Sequence, residues 1–337
     1  MFNIYSYIGR RLLLAVFVLW GVVTLLFLCS ILLPINPAAA YAGNRATPAV
    51  LAAIRADLGL DKPLYVQYLD YITSLLHGNL GYSFQLQESV NTLVIQYYPA
   101  TFELSVFALI FSIAIGIPLG VISATRRNKL PDHVGRVVAL SGAAMPNFFL
   151  GILLLLIFYH YLGFAGIGRL PPTVTPPPTV TGLYTIDSLI AGNPKLFVES
   201  LEFLVLPALT LGYATSANIS RICRVSMIEV LSSEFITAAK AKGLSQRTII
   251  YKHALRNAIV PTTTVIGLQF GGLLAGTVIV ETIFGFHGIG YTLYAAIGRD
   301  DLPVITGITL VIAINFIVIN LIVDLLYLRL NPRIAYS

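Results

Sequence analysis

Six stretches of this chain run long and apolar; the first connection between them is long and mixed, and the others are basic or rich in glycine and proline. The stretches are Leu12–Leu33, Thr101–Ala124, Val137–Tyr161, Phe203–Ile219, Ala258–Val280 and Val304–Tyr327, and within them only Glu103 and Asp324 carry a charge. A hydrocarbon core of ~30 Å takes about 20 apolar residues of helix, so each predicts a membrane span. The fourth is less apolar; it carries Pro207, and its Ser216 and Asn218 must face protein or a cavity. Pro146 inside the third predicts a kink or a first-turn position. Arg10, Arg11 and the small residues Ala38–Ala40 fit a cleaved leader superficially. The first run is longer than a leader's apolar region and is followed by Pro34 and Pro37, so it reads as a retained span.

Between spans one and two, residues 36–99 are mixed in character. Thr47 and Pro48 start a short helix that ends near Gly59, and Pro63 starts another. In that second helix Leu64, Tyr68, Leu69, Ile72 and Leu76 recur at helical spacing before Gly78. Gly168–Asn193, with Pro171-Pro172 and Pro176-Pro177-Pro178, predicts an extended polyproline loop acting as a rigid spacer or a receptor-facing lip. A further loop holding Gly285, Gly288 and Gly290 joins spans five and six.

Composition agrees with a polytopic membrane protein: 337 residues, 57% hydrophobic, 11% charged, mean hydropathy +0.83. The net charge of +6 would suggest nucleic acid in a soluble protein, yet no arginine-rich or aromatic-interleaved tract supports that. Of the 21 basic side chains, only Arg45, Arg55, Lys62, Arg169, Lys195 and Arg299 fall on one side of the six spans. The other fifteen share the side of both termini, and this bias predicts that the termini and the loop between spans four and five are cytoplasmic. Cys29 and Cys223 read as small apolar side chains, and the five histidines show no metal-ligand spacing.

The cytoplasmic loop Glu234–Pro261 reads EFITAAKAKGLSQRTIIYKHALRNAIVP. Ser233 is placed to cap a helix, Glu234 puts negative charge in its first turn, and Gly243 stands where a left-handed stop is wanted. Ala238, Ala239 and Ala241 keep the helix small-faced, so that another protein could approach closely. Ser245 is placed to cap a second helix carrying Arg247, Lys252 and Arg256, and Pro261 falls where span five begins. The same loop lying on lipid headgroups is the bland alternative.

This loop resembles the cytoplasmic EAA loop of ABC importer permeases, in the form used by the dipeptide, oligopeptide and nickel family. Thr237-Ala238-Ala239 stands for Glu-Ala-Ala, Gly243 follows at the family's gap, Leu255 matches the later leucine, and HALRNA before a proline is the subfamily's own ending. Leu58–Phe84, Ala144–Phe149, Leu268–Phe284, Val280–Gly290 and Asn320–Ile334 are similar to the same family. The resemblance implies an all-α, six-span permease: a first helix in 1–35, an extracytoplasmic segment in 36–99, and a five-helix core in 100–337 with its coupling loop at 232–257. It implies a prokaryotic plasma membrane as the location, with Glu234, Thr237, Ala238, Ala239, Lys240, Gly243 and Leu255 as the loop that meets the ATPase. Gln269, Gly271, Gly272, Gly276 and Glu281 would border the pathway or a subunit interface. The implied partners are a second homologous permease, two cytoplasmic ATPase subunits and an extracytoplasmic solute-binding protein. Peptides are the favoured cargo, with nickel or oligosaccharides as alternatives.

The chain has no Gly-x-x-x-x-Gly-Lys-Ser/Thr phosphate loop, so ATP and Mg would be bound by the partner ATPases and no cofactor by this chain. Glu103 and Glu281 fall near span boundaries, where they either reach water or serve the pathway. Asp324 lies deep in span six, with Arg329 as a candidate helix-end or inter-subunit partner. A secondary transporter, the rival reading, would call for an internal repeat and charge at the midplane, and neither is evident.

Overall fold

The computed structural model describes residues 4–32, 37–42 and 47–330. The chain is almost wholly helical. Among the described residues, α1 (Ile4–Leu32), α5 (Val90–Thr125), α9 (Pro194–Leu231), α12 (Leu255–Gly276, continuous with Gln246–Ala254 before it) and α15 (Leu302–Leu330) are long and apolar enough to cross a membrane. The pair α6 (Leu130–Ala144) and α7 (Asn147–Leu154, widening into a π-helical stretch over Leu155–Tyr161) makes a sixth if it is counted as one span.

The pair is bent by 104°, so the third run is not the single straight helix its hydropathy suggests. Pro146 has no N–H to give and takes an extended backbone (φ −61°, ψ 137°), and Met145 before it is forced out of the helical region as well (ψ 123°). The second and fourth spans are also longer than their apolar runs. Ser89 accepts from Thr92 N at 3.1 Å and starts α5 eleven residues before Ala100. Asn193 accepts from Leu196 N at 3.1 Å, with Pro194 in the first turn of α9. At 1.5 Å per residue, the 36 and 38 residues of these helices span ~54 and ~57 Å, well beyond the bilayer core.

The two long helices cross at contact distance because both lack side chains at the crossing. A Cβ on Gly120 would lie 2.7 Å from Cys223 Cβ, one on Gly116 2.9 Å from Ile219 Cβ, and one on Gly212 2.7 Å from the Ala108 carbonyl. Leu104, Ala108, Leu204, Leu206 and Leu211 continue the same seam outward. Lipid is as apolar as leucine, so such close backbone approach, rather than hydrophobicity, is what associates helices here.

α1 stands outside this core, with Leu13, Phe17 and Leu25 exposed, as suits a helix long and apolar enough to cross a bilayer. Val23 and Leu26 pack on Leu310 of α15. Thr24 lies 2.5 Å from the Tyr68 hydroxyl on α4 (Leu64–Leu76). Asp324 pairs with Arg11 of α1 at 2.8 Å; the expected partner, Arg329, lies outside the described side chains. The two short helices expected before span two are present. They are α3 (Pro48–Asp57), capped by Thr47 and followed by Gly59 at φ +67°, and α4, which ends before Gly78 at φ +76°. α2 (Pro37–Ala42) precedes them, and a two-residue hairpin of β1 (Tyr82–Ser83) with β2 (Glu88–Ser89) follows.

Two connections expected to be plain loops contain helices. α8 (Tyr184–Ile190) sits inside the proline-rich segment, while α13 (Val278–Ile283) and α14 (Ile289–Ile297) fill the link between spans five and six. Val280, Phe284, Phe286 and Ile289 are fully buried, and a buried chain must close its backbone hydrogen bonds on itself.

Candidate functional site

The loop between spans four and five folds as α10 (Glu234–Ala241), a left-handed turn, and α11 (Gln246–Thr248), which runs through a π-helical stretch, Ile249–Ala254, into α12. Gly243 holds φ +74°, and the N–H groups of Gly243 and Leu244 donate to the carbonyls of Lys240 (2.9 Å) and Ala239 (3.3 Å), closing the helix end. Ser245 caps α11, accepting from Thr248 N at 3.3 Å. Ser233 occupies the N-cap position of α10, but its hydroxyl donates back to the Val230 carbonyl at 2.5 Å and caps nothing. Pro261 lies inside α12, not at the start of a new helix.

α10 has two faces. Ile236 and Ala239 are buried in one cluster with Val121 and Ala124 of α5, Cys223 and Met227 of α9, and Ile249, Ala254 and Ala258 beyond the turn; Leu255 packs on its edge. Glu234, Thr237, Ala238, Lys240, Ala241 and Gly243 are exposed. The smallness of Ala239 is therefore used inside this chain, whereas Ala238 and Ala241 present the small surface outward. Because the buried face touches α5, α9 and α12 together, a push on α10 reaches three spans through close-packed contacts.

The candidate pathway residues separate in the same way. Gly271 is buried, and a Cβ there would lie 3.3 Å from the Phe316 ring of α15, so it serves packing within the chain. Gly272, one residue on, is exposed with no neighbour within 4 Å of a Cβ position. Gln269 is half-buried. Gly276 ends α12, and its surroundings fall outside the described side chains.

Glu281 does not reach water. Its side chain is fully buried and its two oxygens have separate tasks. Oε1 accepts from the Thr101 hydroxyl of α5 at 2.7 Å, and Oε2 accepts from Tyr291 N in the first turn of α14 at 2.8 Å. Thr101 in turn accepts from Ile289 N at 2.9 Å. Glu281 thus caps α14 from another helix and ties it to α5, as an acidic group at a helix N-terminus does. Gly288 and Gly290 make the room: a Cβ on either would lie 2.6 or 3.0 Å from Glu281 Oε2.

Glu103 is also buried. It accepts from Arg169 Nη2 at 2.9 Å and from both the backbone N–H and the hydroxyl of Thr185, at 2.8 and 2.7 Å. The Arg169 guanidinium stacks on Tyr184, 3.5 Å from the ring centre. Asp187 accepts from Thr181 N (2.8 Å), Gly182 N (2.9 Å), Val180 N (3.3 Å) and the Thr181 hydroxyl (2.7 Å). Burial pushes the Asp187 carboxyl up, but these donors outweigh it and hold it below the usual carboxylate range. The proline-rich segment is thus pinned at both ends of 168–187 by buried carboxylates.

Two features escaped the reading of the sequence. Gly116-x-x-x-Gly120 on α5 is the small-residue spacing that marks a close helix crossing, and it was there to be read. Asp132, fully buried on α6, accepts from Arg224 Nε at 2.8 Å and Nη2 at 2.9 Å on α9. It also accepts from Asn128 N at 2.9 Å. Nothing in the spacing of residues 92 positions apart announces that pair.

Comparison with known proteins agrees with this architecture. Residues 116–336 match the family described as "Binding-protein-dependent transport system inner membrane component", and residues 4–105 match that family's N-terminal component. The chain is 42% identical over 332 residues to a dipeptide transport system permease of Alkalihalophilus pseudofirmus, covering 98% of this chain and 99% of that one. It is 41% identical over 321 residues to a probable D,D-dipeptide transport system permease of Escherichia coli (95% and 94%). A glutathione transport system permease of Salmonella typhi is 36% identical over 332 residues (98% and 99%). Among solved structures, an inward-facing MetNI methionine ABC transporter superposes with a TM-score of 0.53 at 14% identity, covering 71% of this chain and 96% of that one; this likeness concerns the fold alone. A bundle of long apolar helices around a small-faced helix between spans four and five, matched along nearly its whole length, makes this chain a member of the inner-membrane permease family of binding-protein-dependent ABC importers.

Proposed function

We propose that this permease forms half of the translocation pathway for short peptides, di- or oligopeptides, handed over by an extracytoplasmic solute-binding protein. A second, homologous permease completes the pathway, and two cytoplasmic ATPases, which bind ATP and Mg, drive it. The termini and α10 lie in the cytoplasm, and residues 36–99 and 168–193 lie outside. Relatives named for dipeptides and glutathione support the cargo class.

The observation that carries the reading is the two-faced α10. Its outer face, Glu234, Thr237, Ala238, Lys240 and Gly243, seats in a groove of the ATPase, and closure of the ATPases moves the helix. Ile236 and Ala239 pass that displacement to α5, α9 and α12. Gln269 and Gly272 on α12 face the pathway or the second permease, whereas Gly271 and Glu281 act by positioning.

Purification of the chain from its native membrane, with every co-purifying protein identified, tests this. An ATPase with a phosphate-binding loop should be recovered, and should be lost when Ala238 is replaced by tryptophan. ATP-dependent uptake of a labelled dipeptide by the reconstituted complex should be lost with it. A chain that purifies alone and transports in liposomes without ATP would overturn the assignment.

A further inference from the structure

At the end of α6 and α9 that the positive-inside bias assigns to the cytoplasm, a cleft of about 220 Å³ opens between the two helices. Its walls are Gly135, Ala139, Leu140, Ala143, Ala217 and Val225, and its rim carries Arg136, Arg221 and Arg224 beside Asn218 and Ser220. No described residue lining it is acidic.

The three arginines are not equivalent. Arg224 is committed to Asp132 by two hydrogen bonds and fixes the spacing of α6 and α9. Arg136 stands 3.5 Å from the same carboxylate and 2.9 Å from His133 Nδ1. Arg221 has a 3.3 Å contact with Asn218 and no carboxylate partner in the described structure. Both Arg136 and Arg221 are exposed. One carboxylate against three guanidiniums leaves the rim about two charges positive, above walls that are almost wholly apolar.

The outer face of α6 next to the cleft is a stripe of exposed apolar side chains, Leu130, Val134, Val137 and Leu140, at helical spacing. This is the surface of a helix lying against acyl chains. Arg126, Arg127 and Lys129, also exposed, precede it.

We propose that this cleft binds one anionic phospholipid, its phosphodiester held by Arg136, Arg221 and Asn218 and an acyl chain lying along Ala139, Ala143 and Ala217. Charge complementarity selects the anionic headgroup, because a guanidinium forks naturally onto phosphate oxygens. The apolar walls select a lipid over a free phosphate. Basic pockets between spans on the cytoplasmic side are where such headgroups are held. A lipid wedged between α6 and α9 sits behind the seam that α9 shares with α5, so its presence stiffens the unit on which α10 rests.

The test uses the intact transporter in nanodiscs of palmitoyl-oleoyl phosphatidylcholine with an equal share of the corresponding phosphatidylglycerol, released into native mass spectrometry. The wild-type complex should retain phosphatidylglycerol in preference to phosphatidylcholine. R136Q and R221Q should each lower that retention by about fivefold, the loss expected for one basic residue at a charged surface. A139W, which fills the cleft and leaves every charge in place, should lower it too. R126Q with R127Q, outside the cleft, should not. Equal retention of both lipids, or retention unchanged in the cleft variants, would overturn the proposal. Dissociation of the permease pair by R221Q would equally overturn it, giving the cleft to the second subunit. Lipid retention does not depend on the cargo or on ATP, so this result stands apart from the test of peptide transport.

Discussion

Replacing Glu281 separates its role as a cross-helix cap from a role in contact with water. In Glu281→Ala, Tyr291 N loses its acceptor and the Thr101 hydroxyl loses its own, both in a fully buried site. Leaving a buried donor unsatisfied costs about 1–3 kcal/mol, and here two are left. A loss of about 3 kcal/mol is a factor of roughly 150 in the local opening equilibrium. Glu281→Gln is milder. Its carbonyl can still accept from Tyr291 N and its amide can donate to Thr101, so only the Thr101 hydroxyl is left without its acceptor, about 1–2 kcal/mol.

Hydrogen exchange of the purified complex reads this directly, since unfolding of a membrane protein is seldom reversible. The amides of Ile289 and Tyr291 should exchange about 100-fold faster in Glu281→Ala and about tenfold faster in Glu281→Gln. Amides in α1, remote from the site, should keep their wild-type rates. Wild-type exchange at Tyr291 in the alanine variant would refute the cap. Equal acceleration in α1 would refute its locality.

Substituting the two adjacent alanines of α10 should give opposite outcomes. Ala239→Leu overpacks the inner cluster at a cost of about 1–3 kcal/mol and should lower the apparent Tm of the purified chain at a fixed heating rate, whereas Ala238→Leu should leave that Tm unchanged and reduce ATP-driven uptake. Gly120→Leu places a side chain where a Cβ already meets Cys223 at 2.7 Å; it should prevent stable assembly of α5 on α9, read as loss of a monodisperse peak in size-exclusion chromatography. Asp187 has a folded pKa below its unfolded value of about 3.9, so its hold on residues 180–182 is complete above that pH. The hold is lost as pH falls through the lower, folded value. Proteolysis of the loop in detergent should be flat from pH 7 to 5 and rise below about pH 4, and Asp187→Asn should be cleaved faster at pH 7 and show no such rise.

What could be read from the residues follows from the range of the interactions that decide it. Spans one, two, five and six are legible because the bilayer imposes one local demand, a run of about 20 apolar residues. The stop of α10 at Gly243 is legible because a left-handed residue is a local demand too. The 104° turn at Pro146 was announced only as a kink or a first-turn position: proline breaks a helix locally, and nothing in its neighbours along the chain states the angle. The inward turn of Ala239 was hidden for the same reason. Ala238 and Ala239 are chemically identical, and only the cluster formed by Val121, Cys223, Met227 and Ile249 distinguishes them. Glu103, Asp132 and Glu281 show the limit most sharply. Each sits in or beside an apolar run, where a lone charge reads as a route to water or to cargo. Each proves to be satisfied by a group 66 to 180 residues away in sequence, Arg169, Arg224 or Thr101. In this permease the buried carboxylates belong to the frame: each ties one helix or loop to another.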